Sequence, residues 1–197
     1  MTITGALIMG LWATVWWVVG LRVAGHSPAL VYPLPLVLAA TLGGTAWRLA
    51  RRERAAPGAA VDAAEQARRD RLVAWASAAE GIAIFLVAAI VLPNTGHRDA
   101  TVSAIALIVG AHFVPLARGL NAPAYYVTAA AMIGLGLVGF GVANLGVRIT
   151  LVSAGAAVIL WLTAAWVLRH VGGGRTSGLS SPAANEALHL TKPRIAP

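Results

Sequence analysis

The sequence has no cysteine and very few charged residues. None of its 197 residues is Cys, which excludes disulfide bonds, thiolate metal sites and a cysteine nucleophile. Charged residues make up 11% of the chain and hydrophobic residues 58%, whereas a soluble domain typically carries about 25% charged residues. This composition is typical of a protein that lies largely within a membrane.

The few charges are unevenly distributed and leave long uncharged stretches. No charge precedes Arg22, and residues 23–47, 119–147 and 149–168 contain none. A helix of about 20 apolar residues spans the hydrocarbon core of a bilayer. The stretches also lack the polar stripe that a soluble helix of this length would show. The sequence therefore predicts transmembrane helices.

Breaks between these stretches divide the chain into six predicted helices. The second has an uncertain start, because Pro33 and Pro35 remove two backbone donors. The third begins in water, where Asp62 and Glu65 have the spacing of a capping box, and enters the membrane near Leu72. The six run approximately from Ile3 to Leu21, Ala29 to Trp47, Ala63 to Leu92, Ala100 to Ala117, Ala124 to Val142 and Val147 to Leu168.

The predicted architecture is an all-α transmembrane bundle formed by residues 1–170. Residues 48–71 are its only long polar connection. Residues 171–197 are rich in Gly, Ser, Pro and Ala and show no periodicity. A segment of this kind cannot bury enough apolar surface to order itself, so we predict a disordered tail.

Basic residues are concentrated on one side of the predicted bundle. With six crossings, 12 of the 15 Lys and Arg residues share a side with both termini, and only Arg22, Arg98 and Arg148 lie on the other. Cytoplasmic loops carry the excess of basic residues, so both ends are predicted to be cytoplasmic. Arg148 is expected to extend its long side chain from the outer end of helix six to the interface.

Part of this excess forms a cluster directly after helix two, at Arg48, Arg51, Arg52 and Arg54. Arginines at a cytoplasmic helix end suit anionic lipid headgroups, and we predict that these four contact them. We therefore attribute the net charge of +8 to contacts with the membrane surface, and we do not predict nucleic-acid binding.

Two titratable residues lie inside predicted membrane spans, where such groups are functional hypotheses by default. Glu80 lies about 12 Å beyond the cytoplasmic entry of helix three, and His112 about 9 Å before Arg118, at 1.5 Å per residue. Helices three and four are joined by a short turn, so the two side chains could meet. Three alternatives remain open: a proton or ligand site that includes Arg118, a hydrogen bond that only locks two helices together, or no contact.

Proline and glycine indicate how the helices pack. Pro115 deprives the carbonyl of Ala111 of its donor, and the resulting kink either opens space beside His112 or is routine packing. The glycines of helix five predict close helix contacts on more than one face and a central position for that helix. These are Gly134, Gly136, Gly139 and Gly141.

The segment Gly110-Ala111-His112-Phe113-Val114-Pro115-Leu116-Ala117-Arg118 resembles an HFxPLA-type segment of small, uncharacterised bacterial membrane proteins. The resemblance covers nine residues. It implies a bacterial source and no activity, and we predict that the bundle lies in a bacterial inner membrane.

The sequence carries no recognisable enzyme motif, so the functional hypotheses are non-enzymatic. The chain has no HExxH, GxSxG or P-loop motif, and we predict neither a catalytic residue nor a metal site. The leading hypothesis is a structural or accessory subunit, or a small sensor, that binds other membrane subunits or a second copy of itself. A proton-coupled transporter using Glu80 and His112 is one alternative. Another is a tetrapyrrole-binding subunit with His112 as axial ligand; no other cofactor is predicted.

Overall fold

The computed structural model describes residues 3–55 and 63–173, and every long element in these two ranges is an α-helix. The predicted all-α architecture of six helices is confirmed. A single helical turn, Pro28–Val31, precedes the second helix, and a 3-10 turn, Arg98–Ala100, precedes the fourth. The six helices are α1 (Ile3–Val23), α2 (Pro33–Ala55), α3 (Ala63–Asn94, with a π-helical segment at Leu86–Val91), α4 (Thr101–Gly119), α5 (Ala124–Gly141) and α6 (Leu145–Gly173).

Five of the six helices are long and apolar enough to cross a membrane, with mean hydropathies between 1.5 and 2.1. The exception is α2, whose 23 residues would suffice in length but whose last two turns are rich in arginine. Its apolar part is completed by the helical turn Pro28–Val31 that leads into it. This is the architecture of a multi-pass membrane protein.

The start of α2 is organised around its two prolines. Pro33 is the first residue of the helix, a position at which the missing N–H would have no partner in any case. Pro35 has no N–H to donate to the carbonyl of Val31, one helical turn earlier. Val31 is fully buried, so its carbonyl needs another donor. The indole Nε1 of Trp17 donates to this carbonyl instead, at 2.8 Å. A side chain of α1 thus replaces the backbone donor that α2 lacks.

The polar connection predicted over residues 48–71 is largely helical. Helix α2 continues to Ala55 and α3 begins at Ala63, because the Arg, Ala, Leu, Glu and Gln residues on both sides are good helix formers. Residues 56–62 lie outside the described part of the chain. The predicted disordered tail also lies outside it from residue 174 onward, while residues 171–173 belong to α6.

Helix α6 is the centre of the bundle. It packs most extensively against α1 and also contacts α2, α4 and α5, while α3 packs against α4 at the edge. About half of the spanning residues of α4 and α6 are buried, compared with a third of those in α5. The prediction that helix five is central is therefore wrong: only some of its glycines mark contacts, and the small residues of α6 allow closer neighbours.

The glycines of α5 divide into two groups. A Cβ at Gly136 or Gly139 would collide with Ser103 of α4, whereas one at Gly134 or Gly141 would meet open space. On α4, Gly110 lies directly against the α5 backbone, where a Cβ would come within 2.9 Å of the Ile133 nitrogen. Close approach of α4 and α5 thus depends on one glycine-lined interface.

We expect Gly110→Ala to lower the free energy of unfolding by about 2 kcal/mol, because the added methyl group meets backbone atoms that cannot rotate away. The matched control is Gly81→Ala on α3, where a Cβ meets nothing within 4 Å, and it should cause no loss. Denaturation in mild detergent, followed by helical circular dichroism, gives both values. Equal stability of the two variants would contradict the assigned interface.

A buried arginine ties the turns together at the end of the bundle opposite the arginine-rich cluster; we call this the turn end. Arg148, only 7% exposed, donates through Nε to the Val142 carbonyl at 2.8 Å. Its guanidinium also donates to the carbonyl of Asp99 at 2.9 Å and to the Asp99 carboxylate at 3.0 Å. The expectation that Arg148 extends to the interface is wrong, because three acceptors within the protein hold it in place.

Arg148→Met should destabilise the protein by about 3 kcal/mol, since charge-assisted hydrogen bonds at a buried site are lost and the carbonyls they satisfied are left without a donor. Arg98→Met, in the exposed turn beside Asp99, is the matched control and should lie within about 0.5 kcal/mol of wild type. The measurement is the midpoint of thermal unfolding in detergent. A similar shift in both variants would show that Arg148 does not clamp the turns.

Candidate functional site

Helix α3 lies at the edge of the bundle and has no buried residue along its length. One narrow stripe faces α4, formed by the half-buried residues Leu72, Ala76, Glu80 and Ile84. These positions are four residues apart and therefore share one helix face. The face continues with the half-buried Ala83, Val87 and Ala88, and the opposite side of α3 beyond Leu72 is exposed and mostly apolar, as suits contact with lipid.

Glu80 and His112 are brought together within this α3–α4 contact. The Nδ1 atom of His112 lies 3.6 Å from Oε2 of Glu80, and the two side chains are 11% and 22% exposed, respectively. The same Nδ1 lies 3.1 Å from the backbone carbonyl of Ala76, one turn before Glu80 on the same stripe. His112 thus faces two oxygen atoms of α3 with a single ring nitrogen.

This contact assigns the tautomer of the neutral imidazole. A carbonyl oxygen can only accept, so Nδ1 must carry the proton that is donated to Ala76. Nε2 of His112 has no hydrogen-bond partner within residues 3–55 and 63–173, and in this tautomer it carries a free lone pair. Nε2 is therefore the atom at which the ring accepts a proton, and the resulting imidazolium would lie beside the Glu80 carboxylate.

Aromatic side chains close the α5 side of the pair. The ring of His112 meets the edge of Phe113 at a centroid distance of 5.7 Å, and Phe113 in turn contacts Tyr125 at 5.6 Å. Phe113 and Tyr125 are each only 6% exposed. The burial of these rings limits the access of water to the pair from the α5 side.

Toward the turn end, the path beyond the pair is apolar. Between Thr101 and His112, about 16 Å of helix, the side chain of Ser103 is the only polar one on α4, and its buried Oγ has no hydrogen-bond partner among the residues that the structure describes. Residues 81–93 of α3 are apolar throughout. Proton access to the pair is therefore expected from the arginine-rich end alone.

The other predicted site residues lie away from the pair. Arg118 is exposed and forms no ion pair within the described ranges. Pro115 lies on the exposed surface of α4, and the helix continues through it from Thr101 to Gly119. The proline thus faces outward and does not line the contact with Glu80.

The predicted lipid contacts lie at the arginine-rich end. Arg48 and Arg51 are exposed, while the side chains of Arg52 and Arg54 lie outside what the structure describes. In the described part of the chain, no group of three His, Asp or Glu side chains could hold a metal ion. At the turn end, His26 instead shares a hydrogen bond with Thr150, 3.0 Å from Nε2.

Sequence reasoning missed two polar contacts between helices. A backbone carbonyl such as that of Ala76 leaves no mark in a sequence. Only the position of Ala76, one turn before Glu80 on the same helix face, could have suggested a contact with His112. Thr128 of α5 and Thr163 of α6 share a buried hydrogen bond of 2.7 Å, which two threonines on separate apolar helices do not announce. Comparison with protein-family models, curated proteins and solved structures finds no significant match to the chain.

The tautomer can be checked directly. In protein labelled with nitrogen-15 histidine, we expect the neutral His112 ring to show a protonated Nδ1 and an unprotonated Nε2 by nuclear magnetic resonance. The signal is assigned by its loss in His112→Gln, and the signals of the other histidines serve as internal references. A neutral ring protonated at Nε2 would contradict the hydrogen bond to Ala76.

Proposed function

We propose that this protein is a non-enzymatic sensor of the bacterial inner membrane, in which the Glu80–His112 pair binds a proton from the cytoplasmic side. One observation carries the proposal: two titratable side chains lie 3.6 Å apart at the contact of a membrane helix that has no buried residue. Titratable groups at this depth are expensive to maintain and mark proton or ligand sites.

Location and orientation follow from charge and from the helix-four segment. The asymmetry of 12 to 3 basic residues favours a cytoplasmic location for the arginine-rich end. The HFxPLA-type segment over Gly110–Arg118 supports a bacterial source. With this orientation the pair opens toward the cytoplasm, because the apolar path lies on the other side of it.

Protonation would change how α3 is held. With one proton on the pair, an imidazolium at His112 faces the Glu80 carboxylate, and their attraction is strong in a low-dielectric setting. Removal of that proton leaves a carboxylate beside a neutral ring within the membrane, which is costly. Helix α3 is then expected to move outward at its cytoplasmic end, where Glu80 can reach water.

The alternatives are less well supported by the geometry. A proton-coupled carrier needs access from both sides, and the path toward the turn end is apolar. A tetrapyrrole on Nε2 of His112 would need flat open space in a contact where the ring is only 11% exposed. An accessory role is compatible with a sensor, because the exposed face of α3 could pass its movement to another membrane subunit or to a second copy.

The experiment measures the position of α3 as a function of pH. The chain has no native cysteine, so Ser77→Cys on α3 and Tyr126→Cys on α5, both at exposed positions, give two unique spin-label sites. In bilayers we expect the label-to-label distance to grow by about 2 Å or more when the pH is raised through the titration of the pair.

The control variants separate the pair from other titratable groups. Glu80→Gln and His112→Gln should each abolish the pH-dependent movement, whereas His26→Gln at the turn end should leave it unchanged. A pH-independent distance in the otherwise wild-type protein would refute the sensor. Proton flux into proteoliposomes that Glu80→Gln abolishes would favour the carrier, and a Soret band in the purified protein would favour the tetrapyrrole subunit.

A further inference from the structure

The structure points to a second site, independent of the proton pair: we infer that Trp47, Arg48 and Arg51 at the cytoplasmic end of α2 bind the phosphate headgroup of an anionic phospholipid. The three exposed residues occupy a single turn of helix, where an apolar stretch ends and a charged one begins. The ligand of this site is the phosphodiester group of a lipid that carries acyl chains.

The geometry of Trp47 and Arg51 supports this assignment. The guanidinium carbon of Arg51 lies 5.1 Å from the centre of the Trp47 ring, within the range of a cation–π contact. The indole is 59% exposed and suits the level of the headgroups. The Trp47 ring holds the guanidinium of Arg51 at this level. The N–H groups of the guanidinium remain free to donate to phosphate oxygens.

Two arginines of α3 at the same end share one carboxylate. Glu65 of α3 accepts two hydrogen bonds from Arg68, at 2.9 and 3.2 Å, and one from Arg69, at 2.9 Å. Among the described side chains, neither Arg48 nor Arg51 forms an ion pair. Arg48 and Arg51 are therefore positive charges without a carboxylate partner among the described side chains, whereas Arg68 and Arg69 share Glu65.

A lipid fits this place better than a free phosphate ion. About 17 Å deeper along α2, at 1.5 Å per residue, the helix exposes apolar side chains, with Leu36 and Val37 67% and 60% exposed. Trp47 itself presents an apolar ring to its surroundings. A lipid can satisfy both parts of the surface, since its phosphate meets the arginines and its acyl chains cover the apolar residues below them.

The test uses Trp47 as a reporter in bilayers of phosphatidylcholine that contain brominated phosphatidylglycerol or, at equal mole fraction, brominated phosphatidylcholine. Bromine quenches nearby indoles, and the difference between wild type and Trp47→Phe isolates the Trp47 emission. We expect stronger quenching by the anionic lipid. Removal of one arginine should lower this preference about fivefold, and high salt should weaken it.

Matched variants decide the result. Arg51→Gln and Arg48→Gln should each reduce the preference, and Arg68→Gln, which removes a paired arginine of the same end, should leave it intact. Quenching of Trp47 that is equal for the two lipids in wild type would overturn the inference. Equal losses in Arg51→Gln and Arg68→Gln would also overturn it, as would release by inorganic phosphate at constant ionic strength, which would assign the site to the free ion.

Discussion

The close pairing of the first and last helices is the constraint on which the rest of the bundle depends. Helices α1 and α6 run antiparallel, with Gly20 near the end of one so close to Ser153 near the start of the other that a Cβ would overlap its side chain. Fully buried alanines, Ala13 on α1 and Ala156 and Ala164 on α6, continue the contact. Small residues are required here because association within lipid depends on close packing and not on the hydrophobic effect.

This pairing leaves α3 without a place in the core. Helix α6 is covered by α1, α2, α4 and α5, so α3 can pack only against the outer face of α4. Its remaining apolar surface needs no protein partner, since lipid solvates it equally well. A helix in that position is held by few contacts, and a polar contact such as Glu80 with His112 then forms a larger share of what keeps it in place.

Much of the fold could be predicted from the sequence because lipid imposes simple rules. Uncharged stretches of the right length indicated the six helices that the structure shows. What the sequence could not supply was which faces meet. Glycine occurs both at helix contacts and on open surface, as Gly136 and Gly134 show. Counting glycines therefore led to the wrong prediction that α5 is central. Arg148 was misread because its acceptors come from two distant turns.

The site was predictable in location but not in detail, and the missing detail decides its chemistry. Depth along each helix placed Glu80 and His112 at one level, since rise per residue is constant. The rotation of each helix, which aims the side chains, depends on packing that a sequence does not show. The Ala76 carbonyl occupies Nδ1 of His112 as an acceptor and leaves Nε2 to take the proton. Because Nδ1 already faces Glu80, proton uptake at one edge of the ring would create charge at the edge that touches α3, and the proposed coupling of protonation to helix position rests on this geometry.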